Sequence, residues 1–223
     1  MPDGQYSFYL HSDDRTDIAA MATISTISQP LRGEFIRTAA TAGAVVYQVD
    51  ARLPALIPVF FAGQLSAVRL CAVMALVSGT WSSLTGLPDE PENGEAALPV
   101  SPETEYQRRR YTLTLQNGRS GERVESVLTE ASSRLRGDLL RNLIITGLAL
   151  HTTAPELPRL LASMPVPPTS VSELQALVQQ IAGTADVNRA AAAVPDTPAA
   201  SAAPVSGADT REIKKNMRRA FGD

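Results

Sequence analysis

The chain has 223 residues, 44% hydrophobic and only 5% aromatic, so it can bury a sizeable core but must build it from aliphatic and alanine side chains, which favours helices over a large sheet. A formal net charge of -3 excludes a protein that coats nucleic acid indiscriminately and leaves a local basic face open. One cysteine, Cys71, and two histidines, His11 and His151, exclude a disulfide framework and a Cys/His zinc site; a reducing cytoplasm fits, and Cys71 reads as a small core residue.

The opening MPDGQYSFYL has no basic segment followed by a long apolar one, so no secretion signal is expected. YSFYL, residues 6–10, alternates with Tyr6, Phe8 and Leu10 on one face and predicts a short strand. The polar turn SDDRTD can cap a helix through Ile18, Met21 and Ile24. A second helix begins near Leu31, with Leu31, Phe35, Ala39, Ala42 and Val46 as its apolar stripe. A third follows at RLPALI, with Pro54 in its first turn, and a fourth closes the unit. Residues 53–79 carry one charge, Arg69, and look membrane-like, but Pro54, Pro58 and a break at 62–64 favour two buried helices.

Residues 80–109, with Pro88, Pro91, Pro99, Pro102 and several Glu, read as a linker. YTLTL, residues 111–115, predicts a second strand, with Tyr111, Leu113 and Leu115 on one face. QNGRSGE supplies another turn, and Val124, Val127 and Leu128 another helix. The next helix starts near Leu135 and carries Leu135, Leu139, Leu143 and Leu150; ELPRLL and SVSELQALVQQIAG add two more. An Ala/Pro/Ser-rich stretch over 185–208 has nothing to bury and is expected to be disordered. In the last segment, DTREIKKNMRRAFGD, Asp209 and Glu212 have capping-box spacing, and Ile213, Met217, Ala220 and Phe221 recur at helical intervals among basic residues.

These elements form a tandem repeat. LRGEFIRTAATAGAVVYQVDARLPALI, from residue 31, matches residues 135–161 at eight of 27 positions, Gly33/Gly137, Arg37/Arg141 and Gly43/Gly147 among them, where unrelated segments would share roughly two. A lone five-residue strand leaves its backbone groups unpaired, and two like units satisfy them by pairing antiparallel. The expected fold is therefore mainly α with a short two-stranded antiparallel ribbon: tandem ribbon-helix-helix units forming a pseudo-dimer, each with extra C-terminal cap helices. Its divisions are repeat one over 1–79, the linker over 80–109, repeat two over 110–184, the Ala/Pro stretch over 185–208 and an amphipathic tail over 209–223.

A two-stranded ribbon fits the major groove of DNA. With the apolar set turned inward, the outward residues are Ser7, Tyr9 and His11 in one strand and Arg110, Thr112, Thr114 and Gln116 in the other. Arg110 is the candidate for bidentate bonds to guanine, with Thr112 and Thr114 as shorter partners. Arg32 with Gly33, and Arg134 and Arg136 with Gly137, stand at helix starts, where free N–H groups attract phosphate. Arg108, Arg109 and Arg110 open the second strand, whereas residues 1–5 carry Asp3 and no basic residue, so repeat two is expected to make more of the DNA contact.

The phrase LRGEFIRTAATAGAVVYQVDARLPALI resembles the ribbon-helix-helix core of the plasmid partition proteins called ParR or StbB, and LIITGLALHTTAPELPRLL resembles the same segment. The tail resembles the basic ending of that family. The resemblance implies an adaptor for plasmid or phage DNA segregation, with double-stranded DNA bearing centromere-like repeats as one partner and an actin-like ParM-type ATPase filament as the other. The filament contact would be made by Ile213, Lys214, Lys215, Met217, Arg218, Arg219 and Phe221, and copies would cluster on DNA. A usual ParR chain has one half and pairs with a second chain; this chain holds both. No nucleophile-base pair, phosphate loop or carboxylate cluster stands out, so no enzyme activity, cofactor or metal is expected, and a cytoplasmic location follows. The alternatives are a transcriptional autorepressor using the same face, and a filament-binding protein without DNA binding.

Overall fold

The computed structural model describes residues 4–80 and 108–192, with residues 184–192 described by backbone alone. Repeat one holds strand β1 (Gln5–His11) and helices α1 (Arg15–Ser25), α2 (Arg32–Val49), α3 (Leu53–Phe60) and α4 (Ala67–Ser78). Repeat two holds β2 (Arg108–Thr114), α5 (Arg119–Glu130), α6 (Arg136–Thr153), α7 (Glu156–Ser163) and α8 (Val171–Ala192). Both repeats lie in one compact unit, residues 1–185; of the second unit, 186–223, only the end of α8 is described.

β1 and β2 pair antiparallel, from Gln5 opposite Thr114 to His11 opposite Arg108, as the two-stranded ribbon read from sequence. Phe8, Leu10, Leu113 and Leu115 face one core shared by both repeats and are almost wholly buried. Each such side chain contributes roughly 1.5–3 kcal/mol of burial, enough to specify which face of the ribbon turns inward. The repeats interlock: β1 lies on α6 and β2 on α2, while α3 packs on α6 and α7 on α2.

The pseudo-symmetry extends to single hydrogen bonds. Thr16 Oγ1 donates to the Pro58 carbonyl at 3.1 Å, and Ser120 Oγ donates to the equivalent Ala162 carbonyl at 3.3 Å. Helix positions correspond at an offset of 104 residues and strand positions at 105, because the turn after β1 holds Ser12 and Asp13 where the turn after β2 holds only Asn117. The shorter turn passes through Gly118 at φ 136, a region other residues rarely enter.

α2 and α6 meet at their glycines. A Cβ on Gly43 would overlap the Leu143 carbonyl oxygen, and one on Gly147 would overlap the Ala39 carbonyl oxygen. This is why Ala39 through Val46 and Leu143 through Leu150 are buried continuously rather than as a stripe.

Several expectations are corrected. Leu31 and Leu135 are each 59% exposed, because each precedes the first turn of the long helix α2 or α6 and lies beyond the core. In α1 the fully buried positions are Asp17, Ala19, Ala20 and Ile24, while Ile18 and Met21 are half-buried. β2 takes Arg108 and Arg109 from the stretch read as linker. Helix α8 runs through 185–192, where Ala-rich sequence without proline continues it by propensity. The apolar run 53–79 forms two helices, α3 and α4, and among the described residues no helix is long and apolar enough to cross a membrane. Cys71 is half-buried and packs against the core.

Candidate nucleic-acid interface

Strand alternation sorts the ribbon's side chains by face. The face away from the core carries four cross-strand pairs: Gln5 with Thr114, Ser7 with Thr112, Tyr9 with Arg110, and His11 with Arg108. Arg108, Arg110, Thr112, Thr114 and Gln116 are exposed, and Ser7, Tyr9 and His11 are half-covered. Gln5 belongs to this row and was not singled out by sequence; extending the alternation of YSFYL by one residue upstream would have found it.

The row is ordered by its own contacts. Arg110 donates through Nε and Nη2 to Ser7 Oγ, at 3.2 and 3.0 Å, diagonally across the ribbon. The Arg108 guanidinium lies 3.5 Å from the centre of the Tyr9 ring. Such cation–π contact holds the charge in place without neutralising it. Arg109 departs from the expected set. Alternation puts it on the opposite side of the strand from Arg108 and Arg110, and its guanidinium sits 5.2 Å from the Tyr111 ring centre. Tyr111 in turn stacks on Phe8 at 5.3 Å. Burial pushes the Tyr111 phenol above its ordinary pKa, opposed by the charges of Arg109 and Arg32, so it stays a neutral prop beneath the ribbon.

The two helix starts are near copies. Leu31 and Leu135 have the same backbone angles, φ -93 in both, and neither α2 nor α6 has a side-chain cap. No N-cap side chain accepts from their first N–H groups, although at α2 a 3-10 turn over Gln29–Leu31 leads into the helix and the Gln29 carbonyl accepts the Arg32 N–H. Arg32 and Arg136 turn back to brace the preceding corner: Arg32 Nε donates to the Ile27 carbonyl at 2.8 Å and Arg136 Nε to the equivalent Ala131 carbonyl at 3.2 Å. Arg134 is exposed just ahead of α6. Gly33 and Gly137 are not packing glycines. Among the described residues, a Cβ on Gly33 would meet only Arg37 Nη1, at 3.8 Å, and one on Gly137 only the Ser7 carbonyl oxygen, at 3.7 Å. The fold accepts a methyl at both, so what these glycines provide is open backbone.

One feature beside this surface was not read from sequence. Asp17, fully buried, accepts the His11 N–H at 2.9 Å and Arg141 Nε at 2.7 Å, while Arg141 Nη2 reaches Asp14 at 3.1 Å. This ties the α1 start of repeat one to α6 of repeat two at the end of β1. Among the described residues it has no counterpart in the other half, where Gly121 replaces Asp17 and Arg37 pairs instead with Glu34 of its own helix.

The tail residues Ile213, Lys214, Lys215, Met217, Arg218, Arg219 and Phe221, and the linker over 81–107, lie outside the described residues. Comparison with curated proteins and with solved structures returned no match. A family model described as plasmid stability protein matches the chain twice, over residues 4–74 and 109–178, and each match spans one ribbon strand and the helices after it. With well over half its length matched and the two matches folding as one interlocked pair, the chain belongs to the plasmid stability family as a tandem repeat.

Proposed function

We propose that this protein is a DNA-binding adaptor of the ParR/StbB kind in plasmid or phage DNA segregation, holding centromere-like repeats through its ribbon and an actin-like ParM-type filament through its C-terminal tail. The observation that carries the DNA half is the outward row of Arg108, Arg110, Thr112 and Thr114 with Ser7 and Tyr9, flanked by two helix starts that lack side-chain caps and carry glycines able to accept a methyl. The ribbon reads base edges, and the helix starts take phosphates on either side. The filament half rests on the amphipathic basic sequence of 209–223. Several molecules on adjacent repeats would present many weak tails together, which gives avidity that one tail lacks.

Mobility shifts with DNA from upstream of the protein's own gene, at two salt concentrations, test the first half. A shift that weakens steeply with salt is expected, and no salt-sensitive shift at all would end the DNA assignment. Removing residues 209–223 should leave that shift intact and abolish plasmid retention; retention unchanged by the truncation favours the autorepressor reading.

The glycines give a sharper test. Gly33→Ala and Gly137→Ala should each weaken DNA binding about tenfold, since a methyl stands where the DNA backbone approaches, while thermal stability stays level or rises by a few tenths of a kcal/mol, up to about 1. Equal loss of stability and binding would show these positions to be structural.

A further inference from the structure

We infer that the protein recognises a directional, non-palindromic DNA site, with a G·C-containing half under one end of the ribbon and an A·T-containing half under the other. The inference rests on the DNA-binding reading above and adds what kind of sequence is bound.

Tyr6, Phe8 and Leu10 are equivalent to Tyr111, Leu113 and Leu115, so the pseudo-two-fold centre of the ribbon falls on the pair Ser7 and Thr112. About that centre the outward residues exchange as Gln5 with Arg110, Tyr9 with Thr114, and His11 with Gln116. By the same offset Arg108 corresponds to Asp3. One end therefore presents Arg108, Arg110, Tyr9 and His11, and the other presents Gln5, Thr114 and Gln116. The ends differ in chemistry and not merely in degree.

A guanidinium fork matches the O6 and N7 acceptors of guanine, whereas a carboxamide matches N6 and N7 of adenine and a threonine methyl packs on that of thymine. Arg110 is held by Ser7 and Arg108 by the Tyr9 ring, so the arginine end is already oriented before DNA arrives. The two phosphate-facing helix starts, Arg32 with Gly33 and Arg136 with Gly137, by contrast share their backbone geometry, although Arg134, with Pro30 at its equivalent position, adds a charge to the second. Phosphate contacts position a protein and base contacts specify the site. This molecule accordingly has a near-symmetric clamp carrying an asymmetric reader.

In a homodimer, identical half-sites follow from identical subunits. Here β1 pairs with β2 of the same chain, so each molecule has one arginine end and one glutamine end. Repeats in one orientation would then seat successive molecules facing the same way along the DNA.

The test is selection of bound duplexes from a random library by the full-length protein, followed by titration of the selected site and its single-base variants against wild type, Arg110→Ala and Arg110→Lys. Arg110 is exposed, so both variants keep the fold, and lysine keeps the charge without the fork. The expected consensus has no two-fold symmetry. Replacing guanine in one half should cost wild type roughly tenfold or more and either variant little, while substitutions in the other half cost all three proteins equally. A palindromic consensus, no sequence preference, or relaxed discrimination in both halves on changing Arg110 each overturns directional reading and leaves DNA binding standing. Absence of any salt-sensitive binding overturns both.

Discussion

Replacing Gly147 with alanine is expected to destabilise the protein by at least about 3 kcal/mol, measured as a lowered urea midpoint with little change in slope. The new methyl would overlap the Ala39 carbonyl oxygen and come within 2.5 Å of the Ala39 Cα, and both atoms are backbone on the facing helix, with no flexible side chain able to move aside. Relief requires moving α6 away from α2, which loosens the buried side chains of both helices together, since interiors are packed to crystal-like density. Gly43→Ala meets the mirror-image obstacle, with the Leu143 Cα at 2.8 Å, and should cost a similar amount. Gly183→Ala in α8 is the control: nothing among the described residues lies within 4 Å of its added Cβ, and alanine there should be neutral or stabilising by up to about 1 kcal/mol. If Gly147→Ala melts with wild type, the two long helices do not approach each other as closely as the fold requires.

The same glycines show how far the sequence could be read. Gly43 and Gly147 are visible as matched positions of the repeat, as are Gly33 and Gly137, but a one-dimensional pattern assigns all four the same weight. The structure separates them: the first pair is a crossing point that excludes any side chain, and at the second an added methyl meets only ordinary van der Waals contact among the described residues. The ribbon was legible because alternation over Tyr6, Phe8 and Leu10 and over Tyr111, Leu113 and Leu115 needs only a period of two, and because unpaired strands demand a partner. A run of three arginines reads in one dimension as a single basic feature, whereas the pleat sends the middle one, Arg109, to the other side of the strand. The Asp17–Arg141 pair was invisible, since its partners are 124 residues apart and an aspartate in a first helical turn reads as an ordinary cap.

That pair carries the second large effect. Arg141→Met keeps the stem and removes the charge, and it should cost about 3 kcal/mol at about pH 7, because among the described residues it leaves the buried Asp17 carboxylate with only the His11 N–H as partner from outside its own helix. The pH dependence separates charge from packing. Burial already holds the Asp17 carboxyl above its ordinary pKa, against the lowering effects of the His11 N–H and of Arg141. Without Arg141 two of those opposing effects disappear, so the folded value climbs further. A carboxyl whose pKa is raised on folding contributes stability that is fully present below its unfolded value and is lost as pH rises through the folded one. The variant's deficit should therefore be smallest near about pH 4 and widen toward neutrality, read from urea midpoints of both proteins across that range. Asp17→Asn in the Arg141→Met background removes the stranded charge while an amide oxygen still accepts from His11, so the double variant should recover much of the loss and flatten the profile. A deficit equally large at every pH, unrelieved by Asp17→Asn, would mean that Arg141 serves as packing. Recovery would mean that the link between repeat one and α6 of repeat two is electrostatic, and that it fixes the end of β1, where His11 stands opposite Arg108.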